Sequence, residues 1–349
     1  MILFCDMNEG DSLGYAKMEN LNPRAKKLKI FSLALVGIVL IIIIILYRSL
    51  FSAPQSGVKA ETFVLSLSAK TSELGTRLKT SGFVRSTRVF DYLLGQKSLA
   101  GGVAKGSYEI SKSMNVFQIV AIFSSSPSDV WVVIPPGLRK EEIAGILSES
   151  LKWTPEQKNE WINVDTNDSA DYFEGVYFPD TYLIPRDDTS QDVAKRLRAH
   201  FEEKFAPLSK QAAQQNIKWT TALKVASLVQ REAGGKEDMP IIAGIIWNRV
   251  AQKMRLQIDA SVQYARGDKG KGWWAPVTHS DLSIDSPYNT YKYAGLPPHP
   301  IDNPGLDAIS ASVNPADTTC LYYIHDSSRK IHCATTNAEQ NANIAKYLK

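Results

Sequence analysis

The sequence predicts an α+β fold behind a single membrane-spanning helix, on three observations. Ile30 to Tyr47 is an uncharged apolar run. Between residues 61 and 154, short alternating strands interleave with short helical stretches. Beyond residue 155, amphipathic helices dominate and a hairpin closes the chain. A chain of 349 residues is enough for about two domains.

Residues 1–29 are polar and end in a basic cluster of Arg24, Lys26, Lys27 and Lys29. The run that follows, residues 30–47, spans about 27 Å as a helix, close to the hydrocarbon thickness of a bilayer. It is longer than a usual signal-peptide core, and Ser52-Ala53 after it is a weak cleavage match. Only Arg48 follows it directly, so the charge asymmetry predicts a cytoplasmic N-terminus and an extracytoplasmic remainder. Residues 48–60 read as a linker. The net charge of +4 carries no dense basic stripe, which argues against nucleic acid. Three cysteines form neither a metal pattern nor a disulfide scaffold, and no metal or cofactor is expected.

Within 61–154, strands are expected at Thr62–Leu67, Gly106–Ile110 and Val130–Ile134, and helices around Leu74–Leu78, Val116–Phe123 and Glu141–Leu147. Phe90–Leu94 is an apolar stretch, and Pro135-Pro136-Gly137 a turn. No cluster of titratable groups suggests chemistry there, and a spacer or docking role stands beside glycan binding. Asp171–Ile184 is rich in aromatics: Tyr172, Phe173, Tyr177, Phe178 and Tyr182. With Glu174 and Asp180 among them they suit sugar stacking, and they suit core packing equally. A helix is expected over 192–205.

Ala222, Val225, Ala226 and Val229 then recur at helical spacing, with Glu232 in the last turn before Gly234-Gly235. A carboxylate at the negative end of a helix dipole is disfavoured by roughly 0.3–1 kcal/mol. Partial burial disfavours it further, and a carboxyl kept protonated near neutrality is what a general acid requires. From spacing alone, a glutamate at a helix end beside Arg231 is usually a solvated surface residue. Asp238 is placed to cap the next helix, with Pro240 in its first turn. Arg255-Leu256-Gln257-Ile258-Asp259 alternates as a strand, and Arg255 and Asp259 are expected to pair. A hairpin is expected from Leu321–Ile324 and Lys330–Ala334, with Cys320 and Cys333 on one face and their pairing open.

These residues resemble the endolytic murein transglycosylases, the MltG or YceG-like family. The likeness is carried by FEGVYFPDTY at 173–182, ASLVQREAG at 226–234, IIWNRV at 245–250, MRLQID at 254–259, YNTY at 288–291 and GLPPHPIDNPG at 295–305. It implies a LysM-like module over 61–154 and an α+β catalytic domain over 155–349. It implies cleavage of the MurNAc-β-1,4-GlcNAc bond within peptidoglycan glycan strands, leaving a 1,6-anhydro end, with Glu232 as the catalytic acid. Gln257, Asn289, Tyr291, Asn248 and Glu174 become candidates for holding sugar, with Asn248 alternatively tying helix to loop. The family also implies partners among glycan-polymerising synthases. Two alternatives stand beside it. One is a non-catalytic peptidoglycan-binding scaffold. The other is a water-using muramidase whose second carboxylate is Glu174, Asp180 or Asp259. Where the family has proline–glutamate–glycine this chain has Pro135-Pro136-Gly137, a departure expected to touch the LysM-like module more than catalysis. Ile258 and Ala260 also depart from the family pattern, and the Gly267–Trp274 insertion has no assigned role.

Overall fold

The structure, a computed structural model, describes residues 23–97, 99, 102–167 and 173–348. The polar N-terminus up to residue 22, and Asp171 and Tyr172 of the aromatic stretch, lie outside the described residues. The fold is α+β, and its helices and strands gather into two compact units.

The first unit takes the described residues up to 61, with 69–103 and 110–125. Its first helix, α1 (Pro23–Phe51), outruns the apolar stretch at both ends. Within Lys26–Phe51 an 18-residue stretch has a mean hydropathy of 3.2 and its apolar surface is left uncovered, so the helix is long and apolar enough to cross a membrane. Three short helices follow: α2 (Thr71–Thr80), α3 (Thr87–Gly95) and α4 (Val116–Phe123). The Phe90–Leu94 stretch is thus helical, started by Ser86, whose side chain accepts from the Val89 amide. Leu74, Leu78, Phe90, Ile119 and Phe123 are buried, and the Phe90 ring meets Phe123 edge-on at 6.1 Å. Gly75 lets α2 lie close to α3, since a Cβ there would stand 2.2 Å from Asp91 Oδ1.

The second unit is built on a four-stranded sheet in the order β1 (Glu61–Leu65), β2 (Gly106–Ile110), β3 (Asp129–Val133), β4 (Thr181–Pro185). β3 and β4 run antiparallel from Asp129 opposite Pro185 to Val133 opposite Thr181. Helices α5 (Lys140–Leu151), α6 (Pro155–Glu160) and α7 (Ser190–Gln214) follow the strands. Val132, Ile143, Leu147, Trp161, Ile184, Leu197 and Phe201 form one core with them.

The aromatic stretch resolves as core rather than sugar platform. Tyr177, Phe178 and Tyr182 are buried in that same cluster, and Tyr182 Oη donates to the Phe178 carbonyl at 2.6 Å. Phe173, half-buried, has the Lys140 ammonium 3.6 Å from its ring centre. Alternating a buried strand with the core helices removes these rings from water, worth about 1.5–3 kcal/mol for a large apolar side chain.

The centre of this unit is α8 (Trp219–Glu232), which faces two cores at once. Leu223 and Ala226 enter the first. Val225, Leu228 and Val229 enter a second, with Ile242 and Ile246 of α9 (Met239–Ala251) and Ala308 and Ala311 of α11. Helices α10 (Asp259–Arg266), α11 (Leu306–Val313) and α12 (Asn337–Tyr347) and a hairpin of β5 (Tyr322–His325) and β6 (Ile331–Ala334) complete it.

Two local expectations are overturned. Residues 255–259 form no strand. Gln257 sits at φ +53°, which breaks an extended run, yet Leu256 and Ile258 are buried and their neighbours exposed as the alternation required. The backbone there is satisfied by Thr290, which accepts from Gln257 N at 3.2 Å and from Ile258 N at 3.0 Å. Asp238 occupies the N-cap of α9 without capping it, because its Oδ2 bonds His325 Nε2 at 3.1 Å instead.

Candidate active site

Glu232 is the last residue of α8. The helix ends because Ala233 turns extended, not because a glycine turns left-handed. Gly234 serves close approach: a Cβ would lie 3.0 Å from Asp238 Oδ2 and 3.3 Å from the Arg329 carbonyl. Glu232 is half-buried, and its Oε2 accepts a hydrogen bond from Tyr323 Oη of β5 at 2.5 Å. Burial holds its carboxyl above the ordinary range, and the charge of Asp259 adds to that. The Tyr323 hydrogen bond, His325 and Arg231 oppose the rise.

Asp259, the first residue of α10, accepts from Tyr291 Oη at 2.7 Å. Arg249 of α9 ties this group together. Its Nε donates to the Leu321 carbonyl at 2.5 Å and its Nη1 to the Leu256 carbonyl at 2.6 Å. Burial lowers the Arg249 pKa, while Tyr323, Tyr322, Tyr291 and Glu232 act around it in the opposite direction. A carboxyl with a raised pKa, a second carboxyl group and two phenols thus gather at one end of α8, an arrangement that can donate and recover a proton.

The remaining predicted residues fall out differently. Gln257 is exposed, at its left-handed position beside this group. Tyr291 joins the site through Asp259, and its backbone carbonyl takes Arg255 Nη1 at 3.2 Å, so the expected Arg255–Asp259 pair does not form. Asn289 is fully buried. It donates to the Leu282 and Ile284 carbonyls, both at 2.9 Å, and accepts from Tyr291 N, so it shapes the loop rather than facing a ligand. Asn248 donates to the Thr318 and Cys320 carbonyls at 2.7 and 3.1 Å, tying α9 to the segment before β5.

Glu174 is 1% exposed. Its Oε1 accepts from Lys140 N at 3.1 Å and Asn303 Nδ2 at 2.6 Å, and burial pushes its carboxyl up to about 8. It is sealed inside, away from solvent. Asp180 pairs with His200 at 2.8 Å. Of the three second-carboxylate candidates only Asp259 reaches Glu232.

The Pro135-Pro136-Gly137 turn lies against the end of α8 rather than apart from it. Gly137, at φ +83°, donates to the Asn303 carbonyl at 2.9 Å, and its own carbonyl takes Arg231 Nη1 at 3.4 Å. The Pro136 departure therefore borders α8. The insertion at 267–274 is clamped by stacking. Trp273 lies 4.1 Å from the Arg139 guanidinium, Trp274 lies 3.9 Å from that of Arg231, and Trp274 Nε1 donates to Glu142 Oε2 at 2.9 Å. Cys320 and Cys333 are joined as a disulfide, with Cα atoms 5.9 Å apart. Tyr323 and Arg249 escaped the sequence reading, because neither periodicity nor spacing shows that β5 and α9 converge on Glu232. A cavity of about 830 Å³ along β4 and α7 includes none of this group.

Fold and site together describe an α+β protein carrying one acid-type carboxyl at the end of a central helix. A profile of the YceG-like family matches residues 63–346, and the chain belongs to that family. An endolytic murein transglycosylase of Bacillus subtilis is 30% identical over 299 residues, covering 79% of this chain and 82% of the relative. One of Streptococcus pneumoniae serotype 2 is 28% identical over 312 residues, covering 79% of this chain and 56% of the relative. A YceG-like protein of Listeria monocytogenes has a similar fold, with a TM-score of 0.56 at 24% identity over 82% of this chain and 99% of that one.

Proposed function

We propose that this chain is a lytic transglycosylase that cleaves peptidoglycan within its glycan strands. The observation that carries the reading is the half-buried Glu232 at the end of α8, its proton held by burial. Glu232 gives that proton to the glycosidic oxygen as the C1–O bond breaks. The 6-hydroxyl of the same MurNAc forms the new bond to C1, and its proton returns to the Glu232 carboxylate. No water-activating base is needed, because the nucleophile is already part of the bound sugar. Tyr291 and the exposed Gln257 bind sugar beside the acid. Relatives named endolytic murein transglycosylase at 28–30% identity support this reading.

In the same reading α1 anchors the chain in the cytoplasmic membrane with its basic end inside, so that the catalytic unit meets the wall. Residues 61–154 serve as the LysM-like module in this reading. Glycan-polymerising synthases are its working partners, and cleavage limits strand length.

A second reading follows from Asp259. Its charge acts on Glu232, so the pair has the composition of a water-using muramidase. Mass spectrometry of peptidoglycan treated with the full chain, beside its Glu232→Gln variant, separates the readings. Anhydromuramic ends from the unmodified chain alone are the expected result. Reducing ends would move the assignment to Asp259-assisted hydrolysis. No product from folded, sacculus-bound protein would mean a scaffold.

A further inference from the structure

We propose that Tyr323 is a positioning residue that decides which oxygen of Glu232 carries the transferable proton, an inference resting on Glu232 as the acid. The phenol of Tyr323 lies 2.5 Å from Oε2, and among the described residues no partner hydrogen-bonds Oε1. Burial and the neighbouring Glu232 push ionisation of Tyr323 well above the usual range, so its hydroxyl stays protonated and donates. A neutral carboxyl accepts at its carbonyl oxygen and carries hydrogen on the other. Donation into Oε2 therefore leaves the acidic hydrogen on Oε1, the oxygen free to reach substrate. When that hydrogen passes to the leaving oxygen, the Tyr323 bond becomes charge-assisted and strengthens on the carboxylate left behind. Oε1 then accepts the proton of the incoming 6-hydroxyl, so the same oxygen serves both steps.

The hairpin holds Tyr323 to this task. Tyr323 pairs with Cys333 across the strands, and Cys333 is bonded to Cys320. The Tyr323 carbonyl accepts from Gln340 Nε2 of α12 at 2.9 Å, and the Leu321 carbonyl from Arg249 Nε at 2.5 Å. One hydroxyl is thus fixed from α9, α12 and β6 together. The charged groups facing Glu232 are Asp259 from α10, His325 from β5, Arg231 from its own helix and Arg249 from α9. Only Tyr323 bonds it directly among the described residues.

The test is the pH dependence of anhydro-end formation by the full chain in detergent, for the unmodified protein and for Tyr323→Phe. Removing the donor takes away a pull that favours the carboxylate, so the Glu232 pKa rises. The expected result is a kcat loss of about 10- to 100-fold, an alkaline limb moved to higher pH, and KM unmoved. An alkaline limb left in place would overturn the proposal, even with reduced kcat. Should the variant be too slow to profile, 13C carboxyl titration follows Glu232, identified by the resonance missing in Glu232→Gln. A midpoint higher in Tyr323→Phe supports the proposal, and an unchanged midpoint overturns it. Undiminished activity of Glu232→Gln would defeat the acid assignment instead, and the titration would still decide whether the two side chains couple.

Discussion

Glu232 and Glu174 are both glutamates whose pKa is raised by burial, yet they sit in different kinds of site. Glu174 is closed in, with its Oε1 taken by a backbone amide and Asn303, and its Oε2 buried without a partner among the described residues. Glu232 is half-buried, and its one bond leaves Oε1 without a partner among the described residues. Desolvation alone therefore does not make an acid catalyst. A raised pKa becomes useful only where one oxygen stays reachable and the other is held by a donor.

The sharpest way to test this contrast is Glu232→Gln. Anhydro-end formation should fall by about 1,000-fold or more, with the melting temperature nearly unchanged, as product analysis and calorimetry would read. Glu174→Ala should do the reverse. It strands the Lys140 amide and Asn303 inside the protein, costing about 2–4 kcal/mol of stability, while the activity of the folded fraction persists. Breaking the Cys320–Cys333 bond by a double serine substitution should cost about 3 kcal/mol for a closure of 13 residues, read in chemical denaturation. Activity should fall with it if the hairpin presents Tyr323.

The two glutamates also differ in their pH signatures. Glu174 has a folded pKa of about 8, above its ordinary value of 4.5. Its contribution to stability is therefore present below pH 4.5 and lost as pH rises through about 8. Glu174→Gln should flatten that decline in melting temperature between pH 4.5 and 8. A decline as steep as before would show that Glu174 is not its source. The smallest effect is expected from Trp274→Ala, which removes stacking on Arg231 worth about 0.5–2 kcal/mol and lowers kcat only mildly.

Much of this organisation was readable from residue order. The apolar run before Tyr47, the face of α8, the strand at Gly106–Ile110, the helix at Val116–Phe123 and the closing hairpin all follow from local periodicity. So did the place of Glu232, because a helix end is a local feature. What local pattern did not show has another cause. Glu174 and Asn248 bond partners 129 and 70 residues away, separations that no spacing rule reports, while Asn289 is enclosed by the turns of its own loop. Residues 255–259 kept their alternating burial but took their backbone bonds from Thr290 instead of a neighbouring strand.

By itself the sequence determined most of the helices and strands, where the long apolar helix lies, and which helix ends in a carboxylate. These depend on nearest neighbours and on composition. Only the tertiary structure decided that Tyr323 from the hairpin meets Glu232, that Asp259 rather than Glu174 stands beside it, and that the Pro136 turn borders α8. Those contacts join residues 27 to 94 apart in a chain whose packing, not its local pattern, sets their distance and their exposure to water.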